Sequence, residues 1–289
     1  MQLTPHCYFP NKIHGNRGFT LIELSIVLVI IGLIVGGILV GRDMIKTAAL
    51  QSQIAQIDKY KAAANAFKLK YSGLPGDIPL PSLYGLYQPS GTGGLGLGNN
   101  DGLITSQGRN GSDCGVRFSG EITLFWYHLS QAGLIDGAYS AGILEYTSGT
   151  ATVGNAFPRA KINDAAGIVA LGLPATYCGT GTGTNTLPAS RNFFYIGASD
   201  AGSNSLDARY GGFWANDAAV SPSDSLYMDT KIDDGQPLSG TLQARFSYGT
   251  ANILPYSDNQ YSVGCTNASS IYNLSTTKRA CWLRFDAGF

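Results

Sequence analysis

From Leu24 to Gly41 the chain carries no charged residue, and apolar side chains fill nearly every position. A run of that length is enough to cross a hydrocarbon layer as a helix. Beyond Gly41 the pattern changes. Leu50, Ile54, Ile57, Tyr60, Ala64, Phe67 and Tyr71 recur at intervals of 4, 3, 3, 4, 3 and 4 residues, which places them on one helical face. Gln51, Gln53, Lys59, Lys61 and Lys68 fall mostly on other faces. Ser72-Gly73, with Pro75 beyond, is a stop signal. The pattern predicts one helix over 19–71, about 80 Å long at 1.5 Å per residue. It is apolar all round in its first part, 19–41, and amphipathic in its second. Gly32, Gly36, Gly37 and Gly41 cost helix stability but let neighbouring helices approach closely.

Leu74-Pro75-Gly76-Asp77 opens a different kind of chain, rich in glycine up to about Gly120. Ser119 to Ile135 then reads as a second helix, with Ser119 as N-cap and Ile122, Phe125, Trp126, Leu129, Ala132 and Ile135 at helical spacing. Short apolar runs over 142–146, 167–171 and 192–196 are separated by Gly, Pro, Asn and Ser, as in an antiparallel sheet. Ser221-Pro222-Ser223-Asp224 looks like a capped helix start, with the helix running to about Asp233 and stopping at Gly235. Residues 239–248 and 281–285 read as further strands. The expected fold class is α+β: a long helix whose second half packs on an antiparallel sheet.

Composition narrows the function. Charged residues make up 13 % of the 289 residues and the formal net charge is zero. No broad basic surface of the kind that drives nonspecific nucleic-acid binding is implied, so no nucleic-acid partner is expected. The 16 Tyr, 12 Phe and 3 Trp supply a core, which argues against a disordered tail. There is no G-x-S-x-G, H-E-x-x-H or P-loop. Gly91 to Gly96 formally fits G-x-G-x-x-G but follows Gln88-Pro89-Ser90 rather than a strand, so a surface loop is the better reading.

One carboxylate, Glu23, stands at the start of the apolar run, where a charge is costly without a partner or a task. Before it come Lys12, Arg17 and the junction Gly18-Phe19. A secretory signal places its small-residue cleavage site after the apolar region, not before it. The stretch from Arg17-Gly18-Phe19-Thr20-Leu21-Ile22-Glu23-Leu24 through Ser25 to Gly32 resembles the N-terminal signature of type IV prepilins and type II secretion pseudopilins. Looser likeness to large prepilin-like proteins extends to Tyr71–Asp77, Phe125–Ile135 and Asp229–Gly235.

The resemblance implies a leader over 1–18, cleavage after Gly18 by a membrane prepilin peptidase, and methylation of the new N-terminal Phe19. It implies that Glu23 acts in assembly, pairing with the α-amino group of a neighbouring subunit. It further implies the type IV pilin-like fold, with a globular domain over 72–289, and partners in other pilin-like subunits, an inner-membrane assembly platform and membrane lipid. The expected role is a structural subunit, a minor pilin or pseudopilin, and not an enzyme. The alternative is a tip-located binding module, for which Tyr84, Tyr87, Tyr210 and Trp214 are candidate exposed aromatics. Loss of the leader would leave 19 − 2 = 17 basic against 19 acidic residues, a net of −2.

Lys12 and Arg17 ahead of the span favour a cytoplasmic N-terminus. The remainder then lies on the periplasmic side of the inner membrane, where disulfides form. The four cysteines after the leader allow three pairings. Cys265 with Cys281 is the expected bridge, which leaves Cys114 with Cys178.

No cofactor is implied. Calcium has two candidate loops. Asn99-Asn100-Asp101-Gly102 has Leu97 and Gly108 where an EF-hand loop needs its first and last ligands, so a turn explains it better. Asp229, Asp233 and Asp234 form the second, and they equally suit a turn that ends a helix. His128, the one histidine after the leader, is expected at the edge of the core.

Overall fold

The computed structural model describes residues 19–88, 98–105, 120–140, 151–173, 176–178, 184–186, 190–198, 205–206, 218–245, 264–267 and 269–289. Helix α1 is Leu21–Tyr71. The chain divides into two compact units between Thr47 and Ala48, inside this helix. In the first unit the helix is exposed along its apolar length, from Leu21 (92 %) through Ile30 (51 %) to Val40 (63 %). Its composition and length allow it to cross a membrane.

In the second unit α1 buries Leu50, Ile57, Tyr60, Ala64, Phe67 and Tyr71, the face set by the helical spacing. Gln53, assigned by its polarity to the outer faces, is fully buried instead. Its side-chain carbonyl accepts the Lys161 N–H at 2.7 Å, so a buried amide replaces an apolar contact. The helix ends where Ser72, at φ 56°, turns left-handed and donates its N–H to Lys68 O.

After a single 3-10 turn, Pro81–Tyr84, comes α2, Glu121–Gln131. It is shorter than the sequence suggests. Gly120, not Ser119, stands at its N-cap; Ser119 lies outside the described residues. At the other end Gly133 takes φ 69° and Leu134 donates back to Leu129 O, so the helix stops before Ile135.

The strands are β1 (Ala151–Thr152), β2 (Arg159–Ala160), β3 (Asn163–Leu173), β4 (Thr176–Cys178), β5 (Thr184–Thr186), β6 (Arg191–Ala198), β7 (Ser205–Leu206), β8 (Leu242–Arg245) and β9 (Trp282–Asp286). Helix α3, Pro222–Ile232, precedes β8; Ser221 caps it by accepting the Asp224 N–H. β2-β3-β6-β9-β8 form one antiparallel sheet of five strands, while β1-β7 and β4-β5 are separate pairs. The expected strands over 167–171, 192–196, 239–248 and 281–285 overlap β3, β6, β8 and β9. The run 142–146 lies outside the described residues.

The fold is α+β, with a helix packed on a sheet. Phe194 of β6 meets Tyr60 of α1 and both Phe125 and Trp126 of α2, at ring-centroid distances of 6.4, 5.9 and 5.9 Å. Alternate residues of the same strands face the other way and are buried too. Phe193, Tyr195, Trp282 and Arg284 are all less than a tenth exposed, and the Arg284 guanidinium lies over the Phe193 ring. A sheet buried on both faces explains runs such as Phe193-Phe194-Tyr195-Ile196, which lack the apolar–polar alternation of a half-buried strand.

Candidate functional site

The N-terminal segment carries the sequence-predicted processing and assembly residues. Phe19 is 87 % exposed; Gly18 lies outside the described residues. Glu23 reaches back over the first helical turn. Its Oε2 accepts the Thr20 N–H at 2.8 Å and the Thr20 hydroxyl at 2.7 Å. Glu23 N in turn donates to Thr20 Oγ1 at 3.3 Å. This is a reciprocal capping box, which satisfies backbone donors that a helix start leaves unpaired. The Thr20-x-x-Glu23 spacing was a readable signal for it. Past Glu23, an added Cβ at Gly32, Gly36, Gly37 or Gly41 would meet nothing within 4 Å.

The structure also gathers the acidic residues. Carboxylate oxygens of Asp229, Asp233 and Asp234 lie within 4.8 Å of one another. Each already accepts hydrogen bonds. Asp229 receives the Tyr272 hydroxyl at 2.6 Å and the Gly235 N–H at 3.3 Å. Asp233 receives Thr241 N–H and Leu242 N–H. Asp234 receives Gln236 N–H and the Ser239 hydroxyl. These bonds close the 233–242 loop, the turn role that the sequence also allows. Burial pushes the Asp229 carboxyl up to about 6, with Asp234 and Asp233 adding repulsion.

Cys265 and Cys281 form a disulfide with a Cα–Cα distance of 4.9 Å. Cys178 lies on β4, while Cys114 falls outside the described residues. Among the candidate aromatics, Tyr84 is 48 % exposed, whereas Tyr87 is half-buried against Tyr127. Tyr210 and Trp214 lie outside the described residues.

A buried polar centre joins the end of α1 to α2, and sequence reasoning did not find it. Asp77 is fully buried, and its carboxylate accepts N–H groups from Asn99, Asn100 and Gly102 at 3.1, 2.7 and 2.9 Å. The Asn-Asn-Asp-Gly loop thus wraps an anion of its own chain, which is the opposite of cation binding. Glu121, 1 % exposed, accepts the Thr105 N–H at 2.7 Å and its hydroxyl at 3.1 Å. Burial, with repulsion from Asp77 and Asp101 added, pushes Glu121 up to about 8. Burial likewise raises Asp77, to about 6.

His128 accepts the Gly76 N–H at Nδ1, 3.0 Å, and its Nε2 lies 2.9 Å from Tyr87 O. The tautomer with hydrogen on Nε2 satisfies both contacts, and burial lowers its pKa. It is a core histidine rather than an edge one, with both ring nitrogens engaged. Gly76 sits at φ 86° against Glu121 O and Phe125 N, where a Cβ has no room. The Gly-Asp pair is thereby fixed by packing as much as by turn geometry.

No curated protein and no solved structure matches the chain. Residues 13–39 match the family model described as the prokaryotic N-terminal methylation motif. That match begins ahead of Gly18 and runs through Glu23 into the exposed apolar helix. The chain carries a prepilin-type N-terminal signature, which supports a type IV pilin- or pseudopilin-like protein.

Proposed function

We propose that this chain is a structural subunit, a minor pilin or pseudopilin, that assembles through its N-terminal helix into a membrane-rooted filament. The carrying observation is the methylation motif continuing directly into a helix with no charge from Leu24 to Gly41 and with exposed apolar side chains. On this reading the peptidase cuts after Gly18, Phe19 becomes the methylated terminus, and the globular domain lies in the periplasm. Neighbouring copies and an inner-membrane platform are its partners. Glu23 left alone in lipid costs about 3 kcal/mol on insertion scales. The α-amino group of a neighbour's Phe19 neutralises it and fixes the axial stagger, because one stagger brings the two charges together.

Mass spectrometry of the mature N-terminus tests the processing step. N-methyl-Phe19 is expected, and Gly18→Ala should leave the leader attached. Cleavage after Gly37, or none, would overturn it. The rival reading places the chain at a filament tip as a binding module, supported by the exposed Tyr84. Gold labelling along the filament favours a shaft subunit, and labelling at one end favours the tip.

A further inference from the structure

Segment 98–105 lies across two buried carboxylates and one strand edge. Asp77, on the turn after α1, accepts its N–H groups at Asn99, Asn100 and Gly102. Glu121, at the start of α2, accepts the N–H and the hydroxyl of Thr105 on one oxygen, Oε2. Gly98 is pressed onto Asp77 so closely that an added Cβ would stand 1.9 Å from its carbonyl carbon. Ile104, wholly buried, accepts the Gly172 N–H of β3 on its carbonyl at 2.6 Å. β2 pairs with β3 at Asn163 and Gly167; at Gly172 it is this segment that covers the edge.

The charges around the two carboxylates are one-sided. Asp101 of the segment itself adds repulsion to both. On α2, His128 spends Nδ1 on the Gly76 N–H, and burial disfavours its charged form. From β6 comes Asn192, uncharged, which accepts Ile104 N–H and donates to Gly102 O. At the end of α1, Lys68 and Lys70 are exposed, and Lys70 lies over the Tyr71 ring. No lysine or arginine among the described residues pairs with Asp77 or Glu121. Two ionised carboxylates out of water without a cation are costly, so the closed segment favours one negative charge on the pair. Three N–H groups assign that charge to Asp77. Glu121 then carries its proton on Oε1, because Oε2 is already an acceptor twice.

We propose that segment 98–105 is a proton-held latch over the β3 edge, which stays down while Glu121 keeps its proton beside ionised Asp77 and lifts as that proton passes to water. Closed, Glu121 holds the proton up to about 8, against an ordinary 4.5. Lifting hydrates the carboxyl and lets it ionise, so closure weakens as pH rises through that interval. An open latch frees the Gly172 N–H and bares a stretch of strand edge to which another extended segment can add. The inference goes beyond the filament reading and does not rest on it, since the latch is read on unassembled protein.

The test is hydrogen exchange of the full chain in detergent micelles, expressed as protection after the intrinsic rates are divided out. Amides of Asn99, Asn100, Gly102 and Thr105 are expected to be less protected than those of β3 and β6 at every pH, because the latch opens without the sheet. Their protection should fall roughly tenfold or more from pH 6 to pH 8. Lifting the latch leaves the His128 bonds closed, so no histidine opposes this slope. Glu121→Gln should leave the slope flat; if that variant does not fold, the wild-type series decides alone. Protection equal to that of the sheet, protection constant between pH 6 and pH 8, or an undiminished slope in Glu121→Gln would overturn the proposal. Such a failure leaves the processing at Gly18 untouched.

Discussion

Glu23 caps its helix and, on the proposed reading, also pairs with a neighbouring subunit, and different substitutions separate the two. Its Oε2 caps the helix through Thr20, and its charge is available to a neighbouring subunit. Glu23→Gln keeps an oxygen acceptor for the cap and loses the charge; Glu23→Ala loses both. The cap alone is worth about 1 kcal/mol. If the charge sets assembly, both variants insert, are processed and fail to enter filaments. If the cap is what matters, the glutamine variant assembles. Sheared-filament yield against total membrane protein reads the difference.

Glu121 and His128 pull the pH dependence in opposite directions. The folded state holds Glu121 at about 8, above the ordinary 4.5 of a glutamate. Folding therefore retains a proton between those values, and the protein loses stability as pH rises through that window. Asp77, held at about 6, acts with the same sign over a narrower range. His128 is held below its ordinary 6.5, so its contribution is present above that value and lost as pH falls. Above 6.5 the fall of the thermal midpoint with rising pH is therefore set by Glu121, and below that value His128 offsets the gain from the carboxyls. Glu121→Gln should flatten the alkaline limb, a change on the order of a few kcal/mol across the window. An unchanged slope between pH 6 and 8.5 would show that Glu121 is not the group titrating there.

Among the elements, the segment 98–105 depends most on single side chains. Asp77 holds three of its N–H groups. Further along, Asn192 of β6 accepts Ile104 N–H and donates to Gly102 O. Asp77→Ala removes the acceptor of three part-buried N–H groups, at about 1 kcal/mol each. It should lower the thermal midpoint by several degrees and speed amide exchange at Asn99, Asn100 and Gly102. Protection unchanged at those amides would refute this account.

The sequence showed the buried face of α1 well, because helical spacing is a local signal. Gln53 escaped it because its partner, Lys161 N, lies 108 residues away. The end of α2 was misplaced because apolar spacing continues past Gly133 while the backbone does not. The N-terminal methylation motif was legible because it is a contiguous run. Asp77 and Glu121 were not, since their burial comes from segments that meet only in the folded chain.

At the scale of the molecule, the Cys265–Cys281 bridge closes a loop of sequence separation 16. In the chain-entropy model such a closure stabilises by about 3 kcal/mol. Replacing both cysteines by serine should shift the denaturation midpoint down accordingly, and dithiothreitol should do the same to the native chain. The bond from Tyr272, inside this loop, to Asp229 of α3 should loosen with it, read as faster amide exchange at Gly235. A double variant with an unaltered midpoint would mean that the loop is held by its other contacts.

The strand order has a consequence for how the protein is made. β9, Trp282–Asp286, lies between β6 and β8 rather than at an edge. A chain threaded across a membrane from its N-terminal side presents α1 first and β9 near the last. Until residues 282–286 emerge, β6 and β8 have no common neighbour, and β6 waits for a partner some 90 residues downstream. The apolar helix can therefore reach the bilayer while its passenger is still an open, unzipped sheet. On the proposed topology, export and anchoring precede completion of the sheet, and an arrest of translation between β8 and β9 would strand a tethered chain with bare strand edges, a substrate for periplasmic chaperones and proteases.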